Sequence, residues 1–183
     1  HNRLVLIDQI PAIKKRFETF TQYATTPFQK IFTDADLRGA FTGSARKAES
    51  VILINNKGKD FTISDLPDIA QISTINDLLI DDVNHDGHAD IVAIGNMYAQ
   101  ETLFGRYNAS LGTILLGDGA FRWRELPPKL SGFVVDSDAR YIESLRTATG
   151  PVYVITSNRD TIRFFAPPVR RESLLTGRQV SGL

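Results

Sequence analysis

Apolar residues fall into two textures along this chain. Up to residue 48 they are spaced for helices: Ile10, Ile13, Phe17 and Phe20 recur every three or four positions around Pro11, whose missing amide hydrogen costs nothing in a first helical turn. The run Leu4-Val5-Leu6-Ile7 ahead of them reads as a short strand. Thr26-Pro27 repeats the start signal before Phe28, Ile31 and Phe32, and Thr33, Asp36 and Gly39 outline one more short helical piece. Residues 1–48 are therefore expected to form a short strand plus a helical insertion or cap.

From Ser50 onward the pattern turns to strands. Val51-Ile52-Leu53-Ile54 is a continuous apolar run, a polar turn follows over 55–60, and Phe61-Thr62-Ile63 alternates as a return strand closed by Leu66-Pro67. The same order recurs: Thr113-Ile114-Leu115-Leu116, then Gly117-Asp118-Gly119, then Phe121-Arg122-Trp123, closed by Leu126-Pro127. Thr113 follows Val51 by 62 positions and Phe121 follows Phe61 by 60, the second turn being shorter. Strand candidates at Ile75 to Ile80 and Ile91 to Asn96 match Arg140 to Leu145 and Tyr153 to Asn158, the later pair again 62 apart.

Two unequal copies of a four-strand unit thus occupy 49–166, leaving 167–183 as a C-terminal tail. A four-stranded antiparallel sheet cannot cover both of its own faces, so repeated units of this size predict radial stacking as propeller blades. The expected class is mainly β: a fragment of a β-propeller with antiparallel four-stranded blades and an N-terminal helical insertion. Two copies cannot close a ring of about four or more blades, so the remaining blades would come from further sequence of the same protein or from another chain. A small sandwich built from the same hairpins is the rival architecture.

Between two of the strand candidates lies Asp82-Val83-Asn84-His85-Asp86-Gly87-His88-Ala89-Asp90. Oxygen-bearing side chains at loop positions 1, 3, 5 and 9 can turn toward one centre, and carboxylates crowded there need a cation to offset their repulsion. Gly87 allows the chain to turn around the ion, and the carbonyl of His88 adds an oxygen at position 7. A hard set of many oxygens favours Ca2+ over Mg2+, which demands a smaller, near-octahedral shell. An EF-hand would need a glutamate at position 12, where Ala93 stands within an apolar strand, so the expectation is a calcium loop between strands. Zinc through His85 and His88 is the rival, and an empty polar turn the bland alternative. Asp81 is expected to face away from the ion. At the 62-residue offset the four side-chain ligands become Ser144, Arg146, Ala148 and Val152, so the second copy carries no ion.

Composition narrows the picture further. The chain has 183 residues, 42% of them hydrophobic, enough for a real core. Lys and Arg total 21 against 21 Asp and Glu, so no net field draws it to nucleic acid or an anionic membrane. With no cysteine there are no disulfides, thiolate metal sites or cysteine nucleophiles. No apolar run approaches the roughly 18 residues that suggest a membrane span. The start His1-Asn2-Arg3 reads as that of a fragment or processed product, its export signal out of view.

The loop Asp82 to Asp90 followed by Ile91-Val92 resembles the calcium signature of the FG-GAP/VCBS repeat family, blades of propellers related to the integrin alpha-chain head. Ile54-Asn55-Asn56 through Phe61, Gly95-Asn96, Gly105 to Ser110 and Leu115 to Gly119 are similar to the C-terminal blades of exported Bacteroidetes proteins of this kind, as is the helical stretch from Pro11 to Ala40. The resemblance implies a structural Ca2+ held by Asp82, Asn84, Asp86, the His88 carbonyl and Asp90. It also implies an extracellular, periplasmic or outer-surface location in a bacterium. The family often has glycine where His85 stands.

The function expected is a calcium-stabilised interaction or scaffold module of a larger secreted or cell-surface propeller. The alternative is a non-catalytic wall of an extracellular carbohydrate-active hydrolase or lyase. No G-x-S-x-G elbow is present, and the clustered aspartates suit a metal better than acid–base work. The long link from Met97 to Ser110 carries Tyr98, Phe104, Arg106 and Tyr107, a candidate surface for a carbohydrate or protein ligand, against the plainer reading that these side chains pack on the blade rim. Trp123 reads as a satisfied strand residue, Lys14-Lys15-Arg16 as a solvated helix face, and Asn108-Ala109-Ser110 as a glycosylation pattern without use in a bacterium.

Overall fold

The computed structural model describes residues 2–41, 43–100 and 105–167. They form two compact units, one ending at Lys47 and one starting at Ala48. The expected tail beyond Pro167 and the ring of Phe104 lie outside the described residues.

The first unit holds four short helices: α1 (Arg3–Gln9), α2 (Ala12–Arg16), α3 (Phe20–Thr25) and α4 (Phe28–Ile31). The run expected as a strand, Leu4 to Ile7, lies inside α1, where the Asn2 side chain accepts from the Leu4 amide at 3.0 Å and starts the helix. The face predicted from Ile10 to Phe20 is broken: Phe17 is extended, and Thr19 opens α3 through a reciprocal capping box with Gln22. Ile13 and Phe17 are buried with Ile31, whereas Ile10 and Phe20 are exposed. Thr26 ends α3 instead of starting α4, its hydroxyl donating to the Gln22 carbonyl at 2.6 Å. Thr33 and Asp36 make one hydrogen-bonded turn, and Asp36 pairs with Arg16 at 2.8 Å.

The second unit is built of strands. β1 (Val51–Asn55) and β2 (Phe61–Asp65) form a hairpin. β3 (Ile75–Asp81), β4 (Asp90–Gly95), β5 (Thr113–Gly117) and β6 (Trp123–Glu125) form a four-stranded meander. A short helix, α5 (Pro128–Ser131), leads to a three-stranded sheet of β7 (Ala139–Thr147), β8 (Gly150–Ser157) and β9 (Arg163–Phe165). Every pairing is antiparallel. The protein is mainly β, with three antiparallel sheets and a few short helices, and the described residues close no ring.

The sheets are out of phase with the sequence repeats. The expected unit runs from β1 to β4, yet the only complete four-stranded sheet among the described residues runs from β3 to β6, joining the end of one copy to the start of the next. Strand β4 is the reason. All six of its residues are buried, so it needs a partner on each edge and a layer on each face, and Ile91 pairs with Leu115 and Val92 with Ile114 across the repeat boundary.

Alternation along β4 and β5 then sorts the core. Val92, Ile94, Ile114 and Leu116 face the third sheet, joining Ile142, Tyr153 and Ile155, while Ile91, Ala93 and Leu115 face the hairpin, with Leu66, Ala70 and Ile52. Each such Val, Leu or Ile side chain withdrawn from water contributes about 1.5–3 kcal/mol.

Both leading strands carry a bulge at the same place, between Ile75 and Asp77 and between Ala139 and Tyr141. In the first, the bulged Asn76 donates to the Asn96 and Ala139 carbonyls at 2.8 and 2.7 Å, and Asp77 accepts from the Ile142 amide at 2.9 Å. The two sheets are thus joined by directed hydrogen bonds as well as by apolar contact.

Candidate metal centre

The loop lies where the sequence places it, between the end of β3 at Asp81 and the start of β4 at Asp90. Its backbone needs unusual torsions at His85 (φ +56°) and Gly87 (φ +88°), the second being glycine's ordinary role. These turns fold positions 1, 3 and 5 onto one another. Asp82 Oδ1 and Asn84 Oδ1 accept from the same donor, the Asp86 amide, at 3.0 and 3.1 Å. Asp82 Oδ2 accepts from the Gly87 amide at 2.9 Å, and Asp86 accepts from Asn84 Nδ2 at 2.8 Å and from the His88 amide at 2.8 Å.

Asp90 is placed differently from the other three. It is fully buried, Oδ2 accepts from the Val83 amide and Oδ1 from the Gly117 amide, both at 2.9 Å. It therefore closes the loop from below and ties it to the end of β5. Burial pushes its carboxyl above the ordinary range despite those two donors.

Asp81 turns away from the loop interior, as alternation requires, and Oδ2 accepts from the Tyr153 hydroxyl at 2.8 Å. His85 and His88 are both exposed, and the His88 ring lies over Gly119, so the imidazoles do not converge. Among the described residues, no three His, Asp or Glu side chains form a ready-made metal-ligand group. What the loop brings together is a mixed set of carboxylate and carboxamide oxygens at positions 1, 3 and 5. That donor chemistry fits a hard cation such as Ca2+ and offers zinc no imidazole or thiolate.

The second copy lacks the acids and also lacks the loop. Eight residues separate β3 from β4, but only Ala148 and Thr149 separate β7 from β8. The ladder continues instead through Leu145 opposite Val152 to Thr147 opposite Gly150. With nothing to wrap, the strands extend into a tight hairpin.

A cavity of about 310 Å³ lies beside the loop, lined by Asn84, Asp86, His88, Gly117, Asp118 and Trp123 among others. Asp118 holds the adjoining turn by accepting from the Ala120 amide and from Arg122, which keeps its carboxyl down at about 2. Trp123 is not the satisfied strand residue expected: its indole packs on the core, but the buried Nε1 has no hydrogen-bond partner among the described residues.

The second candidate surface is divided. Arg106 stacks over the Tyr98 ring at 5.2 Å, and the Tyr98 hydroxyl donates to the Asp136 carbonyl at 2.5 Å. Tyr107 is held through its backbone, paired with Met97 at 2.7 and 2.9 Å, and its side chain is exposed. Ser110 of the glycosylation pattern is buried, with its hydroxyl accepting from the Gly112 amide. No described helix is long and apolar enough to cross a membrane.

Comparison of the chain with protein-family models, with curated proteins and with solved structures finds no match.

Proposed function

We propose that this chain is a calcium-stabilised interaction or scaffold module, part of a larger secreted or cell-surface protein of the FG-GAP/VCBS propeller type. The observation that carries the reading is that the Asp82 and Asn84 side chains both accept from the Asp86 amide, while the Asp86 carboxylate accepts from the Asn84 side chain, at the bend between β3 and β4. Asp82, Asn84, Asp86, the His88 carbonyl and Asp90 would hold the ion. Its work there is electrostatic: a divalent charge offsets three carboxylates and fixes the bend that joins β3 to β4.

The layering supports the propeller part of the proposal, because the meander is sandwiched face to face between two further β layers. The partners are then remaining blades, from the same protein or another chain, with a carbohydrate or protein as the ligand of the assembly.

Calorimetric titration of metal-stripped chain with Ca2+ tests the reading. A dissociation constant at or below about 10⁻³ M is expected, with melting temperature rising as the site fills. Asp82→Ala and Asp86→Ala should each abolish both responses. A folded, metal-stripped chain that takes up no Ca2+ in the millimolar range would remove the ion from the proposal.

A further inference from the structure

At the opposite end of β4 from the acidic loop lies a second cavity, of about 420 Å³, lined by Tyr98, Arg106, Asp138, Asn158, Arg159 and Asp160 among others. Its walls are held by hydrogen bonds. The fully buried Asn96 donates to the Ser110 and Ser137 carbonyls at 2.8 and 3.2 Å, the Asn158 amide donates to the Asp138 carbonyl at 2.8 Å, and Tyr98 is fixed on Asp136.

The charges lining it are unevenly committed. Asp138 pairs with Arg140 at 2.8 Å, and Asp160 with Arg163 at 3.3 Å. Arg106 meets only the Tyr98 ring, and Arg159 has no carboxylate partner among the described residues. Two guanidinium groups at this cavity are therefore available to an anion.

Asp138 is committed within the wall. Its side chain is 1% exposed, Oδ1 lies 2.8 Å from Arg140 Nη2, and Oδ2 accepts from Arg140 and from the Asn158 side-chain amide at 3.0 and 3.4 Å.

We infer that this cavity binds a carboxylate-bearing sugar, a uronic acid residue, through its acid on Arg106 and Arg159 and its hydroxyls on Asn158. The inference rests on the module reading above and names its ligand class. Guanidinium forks match a carboxylate in two parallel hydrogen bonds. A phosphate dianion fits less well, because Asp138 and Asp160 share the lining and repel a second negative charge. The aromatic face of Tyr98 and the amide of Asn158 suit a polyhydroxylated ring.

The test is calorimetric titration of the full chain in Ca2+-containing buffer with a trisaccharide of galacturonic acid, the equivalent neutral galactose trisaccharide, and inorganic phosphate. The acidic sugar should bind with a micromolar to millimolar dissociation constant, and the neutral one at least about tenfold more weakly. Arg106→Gln and Arg159→Gln should each weaken uronate binding by roughly 10- to 100-fold, while Arg124→Gln leaves it unchanged. Circular dichroism and Ca2+ titration of each variant establish that it is folded. Equal affinity for the neutral sugar, preference for phosphate, indifference to both substitutions, or no uronate binding into the millimolar range would each overturn the inference. A chain that binds Ca2+ but no uronate loses only this assignment, whereas one that binds no Ca2+ loses the metal reading beneath it.

Discussion

Tyr153 is fully buried, and its hydroxyl donates to Asp81 at 2.8 Å across the gap between the third sheet and the meander. Burial first, then the hydrogen bond to Asp81 and the nearby carboxylates, raises its ionisation far above the ordinary 10.0. The unfolded chain gives up that proton at about pH 10 while the folded chain keeps it. The contribution to stability is therefore complete below that pH and is lost as pH rises beyond it, by up to about 1.4 kcal/mol per unit. Tyr153→Phe should cost about 1–3 kcal/mol at neutral pH, since Asp81 Oδ2 loses its donor, and should flatten this alkaline decline. Urea titrations at pH 8, 10 and 11, values spanning the ordinary phenol range of about 10, would check both effects. Sequence spacing placed the oxygen donors Asp82, Asn84, Asp86 and Asp90 at positions 1, 3, 5 and 9 of one bend, because alternate side chains of a wound loop share a side. It carried no sign that Asp90 is a buried clamp, since the Gly117 amide that it accepts from lies 27 residues away.

The end of β5 and the acidic loop behave as one element. Gly117 donates to Asp90, and a Cβ there would collide with the Ala89 carbonyl and lie 3.0 Å from the Trp123 ring. Gly117→Ala should therefore destabilise the chain by more than about 2 kcal/mol and weaken Ca2+ uptake together. Gly58→Ala is the control, because that glycine has a φ of +79° but open space around it, so only about 1 kcal/mol of backbone strain is expected. Thermal melts with and without Ca2+ would separate the two. The strands themselves were readable from their apolar runs, from Val51 to Ile54 through Tyr153 to Ser157. Their grouping into sheets was not, because a hydrophobic run reports burial and leaves the partner on each edge unspecified. The single helical face from Ile10 to Phe20 failed for a related reason: its three- and four-residue spacing persists across the extended Phe17 and the Thr19 cap, which local chemistry imposes.

Across the second unit, both outermost layers present apolar surface. Tyr141, Leu145 and Phe164 are 71%, 54% and 68% exposed on the third sheet, and Leu53, Phe61 and Ile63 are similarly exposed on the hairpin. Among the described residues β1 pairs with β2 alone, whereas β5, its counterpart in the repeat, is paired on both edges. Unpaired edges and bare sheet faces of this kind drive association. Sedimentation of the isolated chain should show concentration-dependent self-association, reduced by Phe164→Glu, and a well-folded monomer at all concentrations would argue against any need for neighbouring blades.

The sequence by itself determined the mainly β character, the recurrence at 62 residues and the clustering of oxygen donors at one bend, because each is written in short-range spacing that a strand or loop must obey. Only the tertiary structure decided which hairpins share a sheet, that Asp90 anchors β5, that the second copy closes in two residues, and that Arg106 and Arg159 stand at one cavity. Those features depend on hydrogen bonds and packing between segments distant in the chain, and no local pattern encodes which distant segment will supply the partner.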